Sequence, residues 1–200
     1  MKYPNFSEEK KLWKSGSNLV AGLDEVGRGP LAGPVVAAAV IFEKGFCPIE
    51  LNVRDSKQLS LKQREKVFKI LVNHPRIKWG VGKVSEKVID KINILEATKL
   101  AMIKAIKDLA CHPSYIILDG NFKIESNIPQ KSVIKGDVKV FSCAAASIIA
   151  KVTRDRIMLR YDKKYPKYKF RENKGYPTEY HRKVLLATGP CPIHRKSFSY

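Results

Sequence analysis

Short unbroken apolar runs alternate along the chain with longer stretches of helical spacing, and loops rich in Gly, Pro, Asp and Asn separate them. The pattern predicts interleaved strands and helices. Glu8 to Ser15 reads as a short helix or charged lead-in, and Asn18 to Leu23 as a strand ending on two adjacent acids, Asp24 and Glu25. Pro34 to Phe42 is a β-branched and alanine run of strand length. The turn signals Gly29-Pro30 and Gly33-Pro34 precede it, which predicts neighbouring strands. Asp55-Ser56-Lys57-Gln58-Leu59 is a polar loop. Ser60 with Gln63 then makes a capping-box pattern, and Val67, Ile70 and Leu71 carry a helix to the stop at Asn73-His74-Pro75.

Ile77 to Val84 reads as a strand and Ser85-Glu86-Lys87-Val88 as a helix start, followed by a longer helix through Ile92, Leu95, Leu100, Ile103, Ile106 and Leu109 that ends before Pro113. Tyr115 to Leu118 is a short strand ending in Asp119-Gly120-Asn121, and Ser132 to Ile134 another ending in Lys135-Gly136-Asp137. Phe141 to Arg160 is a strong helix. Its small residues Cys143-Ala144-Ala145-Ala146-Ser147 suggest close approach to a sheet, although alanine is also simply a good helix former. Tyr161 to Phe170 is basic and aromatic, interrupted by Pro166, and Pro177 to Leu186 reads as a last short helix. The sum is an α/β domain with a mixed sheet, without internal repeats, in which residues 161–200 form a small C-terminal helical appendage. At 200 residues the chain is long enough for one complete catalytic domain.

Charge changes the picture more than length does. Lys and Arg number 38 against 19 acids, a formal net charge of 38 − 19 = +19. Such an excess favours polyanions, of which nucleic acid is the commonest in cells. Cys47, Cys111, Cys143 and Cys191 are scattered, with no Cys-x-x-Cys pair and no His at zinc-ligand spacing, so structural zinc is not expected. The N-terminus lacks a secretory pattern, and the longest apolar run, Leu31 to Phe42, falls short of a bilayer core of about 30 Å. The expectation is a cytoplasmic protein without a membrane partner.

Against that basic background, three apolar runs end in acids: Leu23 into Asp24 and Glu25, Leu118 into Asp119, and Ile134 into Asp137 after a two-residue turn. Singly, each reads as a loop-capping acid. Together, at strand ends of an open α/β sheet, they read as a carboxylate cluster that needs a cation. All-oxygen ligation suits Mg²⁺ or Mn²⁺, and two such ions support in-line phosphodiester hydrolysis. One difficulty remains. Asp24 and Glu25 should face opposite sides of a regular strand, so the strand ends or bends between them, or one acid is structural. Gly27-Arg28-Gly29 reads either as an ordinary turn or as a backbone open to close approach by a ligand, and Tyr176 either as a packed aromatic or as a stacking surface. Lys57, Lys151 and Arg154 read best as solvated or salt-bridging, with phosphate contact as the alternative. Asp155, four residues after Lys151, reads as its intrahelical partner.

The segments Asp24-Glu25-Val26-Gly27-Arg28-Gly29, Asp55-Ser56-Lys57-Gln58-Leu59-Ser60, Leu118-Asp119-Gly120-Asn121 and Lys135-Gly136-Asp137 stand in the order of the motifs of bacterial ribonuclease HII, as do residues 144–156, Lys174-Gly175-Tyr176-Pro177-Thr178 and His194-Arg195-Lys196-Ser197-Phe198. The chain resembles that family over nearly its whole length. The resemblance implies a ribonuclease H-like mixed sheet flanked by helices and a metal-dependent endonuclease that hydrolyses the RNA strand of RNA–DNA hybrids and cuts 5′ to single ribonucleotides in duplex DNA, leaving 5′-phosphates. It implies Mn²⁺ or Mg²⁺ held by Asp24, Glu25, Asp119 and Asp137. Gly27, Arg28 and Gly29 match the loop that reads the ribose 2′-hydroxyl, and Tyr176 the tyrosine that stacks under the junction sugar. The expected partners are RNA–DNA hybrid and ribonucleotide-containing duplex, acted on by a monomer. Asn173 departs from the histidine that relatives often carry there, and the chain stops at Tyr200 without the tail that some relatives have.

Ribonuclease HIII resembles the same acids and fold, but usually carries a sizeable N-terminal domain for which the first acid at position 24 leaves no room. A non-catalytic basic binding module would explain the charge but not four acids at strand ends.

Overall fold

The computed structural model describes residues 3–48, 51, 53, 56 and 58–199. Five strands, β1 (Val20–Val26), β2 (Val35–Phe42), β3 (Ile77–Val84), β4 (Tyr115–Asp119) and β5 (Gln130–Val133), form one mixed sheet in the order β3-β2-β1-β4-β5. The β1–β2 and β2–β3 pairs are antiparallel, and β1–β4 and β4–β5 are parallel. The helices are α1 (Ser7–Lys14), α2 (Leu61–Asn73), α3 (Glu86–Lys107), α4 (Gly136–Lys139), α5 (Phe141–Lys164), α6 (Phe170–Asn173) and α7 (Glu179–Thr188), with a 3₁₀ turn at Pro166–Tyr168. The α/β class and the mixed sheet are as the pattern predicts.

Strand β2 explains why the sheet is covered on both faces. All eight of its residues are buried, and successive side chains enter different cores. Ala38, Val40 and Phe42 pack with α2 and α5, whereas Val35, Ala37, Ala39 and Ile41 pack beneath α3. The helix α5 lies against β1 because residues 142–147 carry only small side chains and because β1 offers Gly22. A Cβ built on Gly22 would lie 2.3 Å from Ser142 Oγ and 2.5 Å from the Cys143 amide nitrogen. The backbones touch where a side chain would stand. Gly22→Ala should therefore cost about 3 kcal/mol of folding stability, as overpacking against an unyielding backbone does, and urea unfolding of the two proteins measures it. An unchanged midpoint would mean that α5 can shift at little cost.

Several boundaries depart from the expected ones for identifiable reasons. Asp24 and Glu25 lie inside β1 and not beyond its end, because β2 stays paired as far as Val26 opposite Val36 while the parallel β4 ladder stops at Leu23 opposite Leu118. Asp137 sits in the short helix α4, not in a turn, and Ile134 lies outside β5 with its side chain 64% exposed. Helix α5 continues to Lys164, and Tyr165 leaves helical geometry immediately before Pro166, as a residue preceding proline is biased to do. Helix α3 breaks at Asn93 (φ 66°), whose Oδ1 accepts from the Leu95 and Glu96 amides and so caps the longer helix that follows. The capping box of Ser60 with Gln63 forms as expected.

After α5 the chain folds back over the segment between β1 and β2. Tyr168, Phe170, Leu185 and Ile193 form a separate small core with Leu31, Ala32 and Met158. Ala32 also pairs with His194 in an isolated antiparallel bridge. Among the described residues no helix is long and apolar enough to cross a membrane.

Candidate active site

The acids meet where the parallel ladder ends. β1 and β4 point the same way, so Asp24 and Asp119 emerge side by side at their carboxyl ends, the position at which open α/β sheets gather ligands. Helix α4 brings in Asp137. One carboxylate oxygen from each of Asp24, Asp119 and Asp137 lies within 4.8 Å of the other two. Neighbouring groups fix them: the Gly136 amide donates to Asp119 Oδ1 at 2.7 Å, the Glu25 amide to Asp24 Oδ1 at 2.7 Å, and the Ser147 hydroxyl to Asp24. Ser147 in turn meets Ser56 at 3.0 Å.

Glu25 stands apart from that trio. Its neighbours in alternation, Ala21 and Leu23, face the α3 core, so Glu25 starts from the side of the strand opposite to Asp24. Its carboxylate nonetheless borders the same cavity of about 370 Å³ and lies 3.4 Å from Arg28 Nη1. The expected conflict between adjacent acids is real, and Glu25 reaches the cavity as a half-buried rim residue.

The electrostatics describe a site built for positive charge. Burial raises the Asp24 pKa well above the ordinary carboxylate range, and the charges of Glu25 and Asp119 raise it further. Burial likewise raises Glu25, against the pull of Arg28, and raises Asp119, with the Asp137 charge adding to it. Crowded carboxylates of this kind are stable as anions only when a cation joins them. The donor set is all oxygen, which fits a hard divalent cation.

Around the acids, Lys151 borders the cavity and is held by Asp155 at 2.9 Å, four residues on, as the spacing predicts. Asp155 also faces Arg64, at 3.8 Å, and Arg64 donates to the Ser56 and Leu59 carbonyls. Asp55 and Lys57 lie outside the described residues. Gly27 adopts φ +97°, and a Cβ there would stand 2.3 Å from Arg154 Nε. Only glycine fits. A Cβ on Gly29 would lie 3.9 Å from the Tyr176 ring, so the loop after β1 and the tyrosine after α6 are adjacent though far apart in sequence. Tyr176 also borders the acid cavity. Asn173 secures its loop, donating to the Tyr168 carbonyl and accepting from the Gly175 amide, both at 2.7 Å.

Two features escape the sequence reading. Ser147 appears there only as a small helix residue, and its burial beside Asp24 has no signature in spacing. Arg154 is not solvated and, among the described residues, forms no salt bridge: it has no exposed surface and donates to backbone carbonyls, as does Arg195. A surface role is the usual one for arginine, and only the fold shows otherwise.

Known proteins resemble this chain over nearly its whole length. The family model described as Ribonuclease HII matches residues 21–200. Ribonuclease HII of Chlamydia caviae is 51% identical over 191 residues, covering 96% of this chain and 89% of its own. Among solved structures, ribonuclease H2 of Pyrococcus horikoshii OT3 superimposes with a TM-score of 0.73 at 31% identity, covering 90% of this chain and 94% of that one. The ribonuclease HII in a PCNA complex from Archaeoglobus fulgidus gives 0.74 at 28% identity, over 91% and 96%.

Proposed function

Since the chain belongs to the ribonuclease HII family, whose members cleave the RNA of RNA–DNA hybrids, we propose that Asp24, Asp119 and Asp137, with Glu25 at their edge, form its divalent-metal centre. Ribonuclease HIII is the less supported reading. The observation that carries the site assignment is the convergence of three acids within 4.8 Å, from β1, β4 and α4, in a chain of net charge +19. Mg²⁺ or Mn²⁺ bound by these carboxylates would supply the Lewis acidity and water activation for phosphodiester hydrolysis that leaves a 5′-phosphate.

The protein's own groups do the rest. Gly136 N–H and Ser147 Oγ hold Asp119 and Asp24 in register. Lys151, fixed by Asp155 at the cavity edge, presents positive charge to a backbone phosphate. Gly27, Arg28 and Gly29 let backbone approach a ribose 2′-hydroxyl, the group that distinguishes RNA from DNA at one nucleotide. Tyr176, 37% exposed beside Gly29, offers its ring to the neighbouring sugar. This arrangement favours cutting 5′ to a single ribonucleotide in duplex DNA as well as within a hybrid. We take the working protein to be a cytoplasmic monomer.

The deciding experiment is cleavage of a duplex bearing one ribonucleotide, with Mn²⁺, with Mg²⁺ and with chelator. A cut on the 5′ side with either ion and none with chelator supports the reading, and metal-independent cleavage defeats it. Binding supplies a second expectation. In Ca²⁺, used to occupy the acids without turnover, affinity for a hybrid should fall by about 10³-fold or more between 50 and 200 mM salt if six or more phosphates are neutralised. A flat dependence would make the net charge incidental to binding.

A further inference from the structure

Two arginines, Arg154 on α5 and Arg195 in the C-terminal segment, have no exposed surface. Charged side chains are seldom buried so completely, and these two direct their donors at backbone carbonyls. Arg154 donates from Nε to Pro34 (2.9 Å), from Nη1 to Lys174 (2.9 Å) and from Nη2 to Ala32 (3.1 Å). Arg195 donates from Nε to Gly33 (3.1 Å), from Nη1 to Arg28 (2.9 Å), and from Nη2 to Gly27 and Gly33. All but one of these acceptors belong to the segment between β1 and β2, and the remaining one, Lys174, opens the loop that carries Tyr176.

We propose that Arg154 and Arg195 are positioning residues that lock the Gly27-Arg28-Gly29 loop and the Lys174-Gly175-Tyr176 loop into one rigid reader of the RNA–DNA junction. The inference rests on the reading of those loops given above. Arg154 grips both at once, and the Leu31 amide ties them again by donating to the Gly175 carbonyl at 2.8 Å. The close approach of Arg154 to Gly27 leaves no slack, and the Tyr176 ring centroid lies 5.8 Å from the Arg154 guanidinium. Segment 27–34 contains three glycines and two prolines, so its sequence alone does not hold one shape. Burying a guanidinium is costly, and apolar filling of the same space often stabilises a fold at least as well. What an apolar side chain could not do is fix five carbonyls of one loop and one of another in a set geometry. A planar fork can.

Arg154→Lys and Arg195→Lys test this. Each lysine keeps the charge, and with it the attraction to phosphate, but offers one nitrogen where the fork offers three. On a duplex with one ribonucleotide, kcat should fall by about 100-fold with KM little changed, the size of effect expected from a reader displaced by about 1 Å. On a long hybrid the fall should stay within about 5-fold, since many registers present themselves to the same acids. Parallel loss on both substrates, loss through failure to fold included, overturns the proposal, because the arginines would then serve the domain as a whole. The wild type gives a check that needs no variant. The amides of Leu31 and Gly33, which donate to Gly175 and Ile193, should exchange with deuterium at least about 100-fold slower than in an open chain. Exchange at the open-chain rate would show that the loops are not locked. Tyr176→Ala, measured alongside, separates two failures: selective loss there but not in the lysine variants defeats this inference alone, and no selective loss in any of them defeats the reading of the loops.

Discussion

Asp24→Asn and Asp119→Asn should each lower kcat on a hybrid by about 10³-fold or more, the scale of losing several kcal/mol of charge stabilisation, while affinity for the hybrid in Ca²⁺ changes little. Asparagine keeps the shape and an acceptor oxygen. At position 24 it can still receive the Glu25 amide and the Ser147 hydroxyl, and at position 119 the Gly136 amide. What it removes is one negative charge from a trio whose atoms lie within 4.8 Å. The lysines and arginines expected to attract phosphates are untouched.

A second readout separates this from damage to the fold. In the metal-free protein the folded-state pKa of Asp24 is raised by burial and by neighbouring acids, so the unfolded chain holds the carboxylate more comfortably near neutral pH. Ionised Asp24 therefore opposes folding there, a penalty that grows as pH rises above the unfolded carboxylate pKa and levels off above the folded one. Asp24→Asn relieves it. The metal-free variant should melt higher than the wild type, by about 2–4 °C for each kcal/mol relieved, and divalent cation should raise the wild-type midpoint more than the variant's. Full activity in either variant would end the site assignment. A lower melting temperature with lost activity would make Asp24 a structural acid. Asp137→Asn should also be strongly impaired, and retention of most activity would return Asp137 to an ordinary helix acid.

The strands and most helices are legible because apolar periodicity reports burial directly. β3 falls at its expected bounds, and the Ser60 cap at its expected residue. The acids are legible for the same reason, since a carboxylate at the end of an apolar run is out of place unless something uses it. Less legible is anything that depends on which ladder stops first. The pairing of β2 past Asp24 and Glu25 turns a strand-end pair into an in-strand pair, and no local pattern announces that. Least legible are Ser147, Arg154 and Arg195. Their roles come from contacts with residues far along the chain, Arg195 with Gly27 being 168 positions apart. Spacing carries information about one element's faces, not about which loop a distant side chain will meet.

Tyr176→Ala should separate the two activities proposed for the wild type. On a duplex with a single ribonucleotide kcat/KM should fall by about 100-fold, and on a long hybrid by less than about 10-fold, because positioning one sugar is worth more when only one register is productive. The ring stands beside Gly29 and borders the acid cavity, a place from which it would touch the sugar next to the one that the Gly27-Arg28-Gly29 backbone is proposed to read. A long hybrid presents a 2′-hydroxyl at every step, and a misplaced register is replaced by the next. A lone ribonucleotide offers no such repeat. The fold should hardly notice the change: the side chain is 37% exposed, and its loop is kept by backbone contacts, the Tyr176 amide donating to the Asn173 carbonyl at 2.8 Å and the His181 ring meeting the Tyr176 carbonyl at 2.9 Å. Rates on both substrates at fixed salt and metal decide the matter. Equal loss on the two would make Tyr176 a general packing residue, and a wild type unable to cut the single-ribonucleotide duplex would move the protein toward hybrid-only cleavage of the ribonuclease HIII kind.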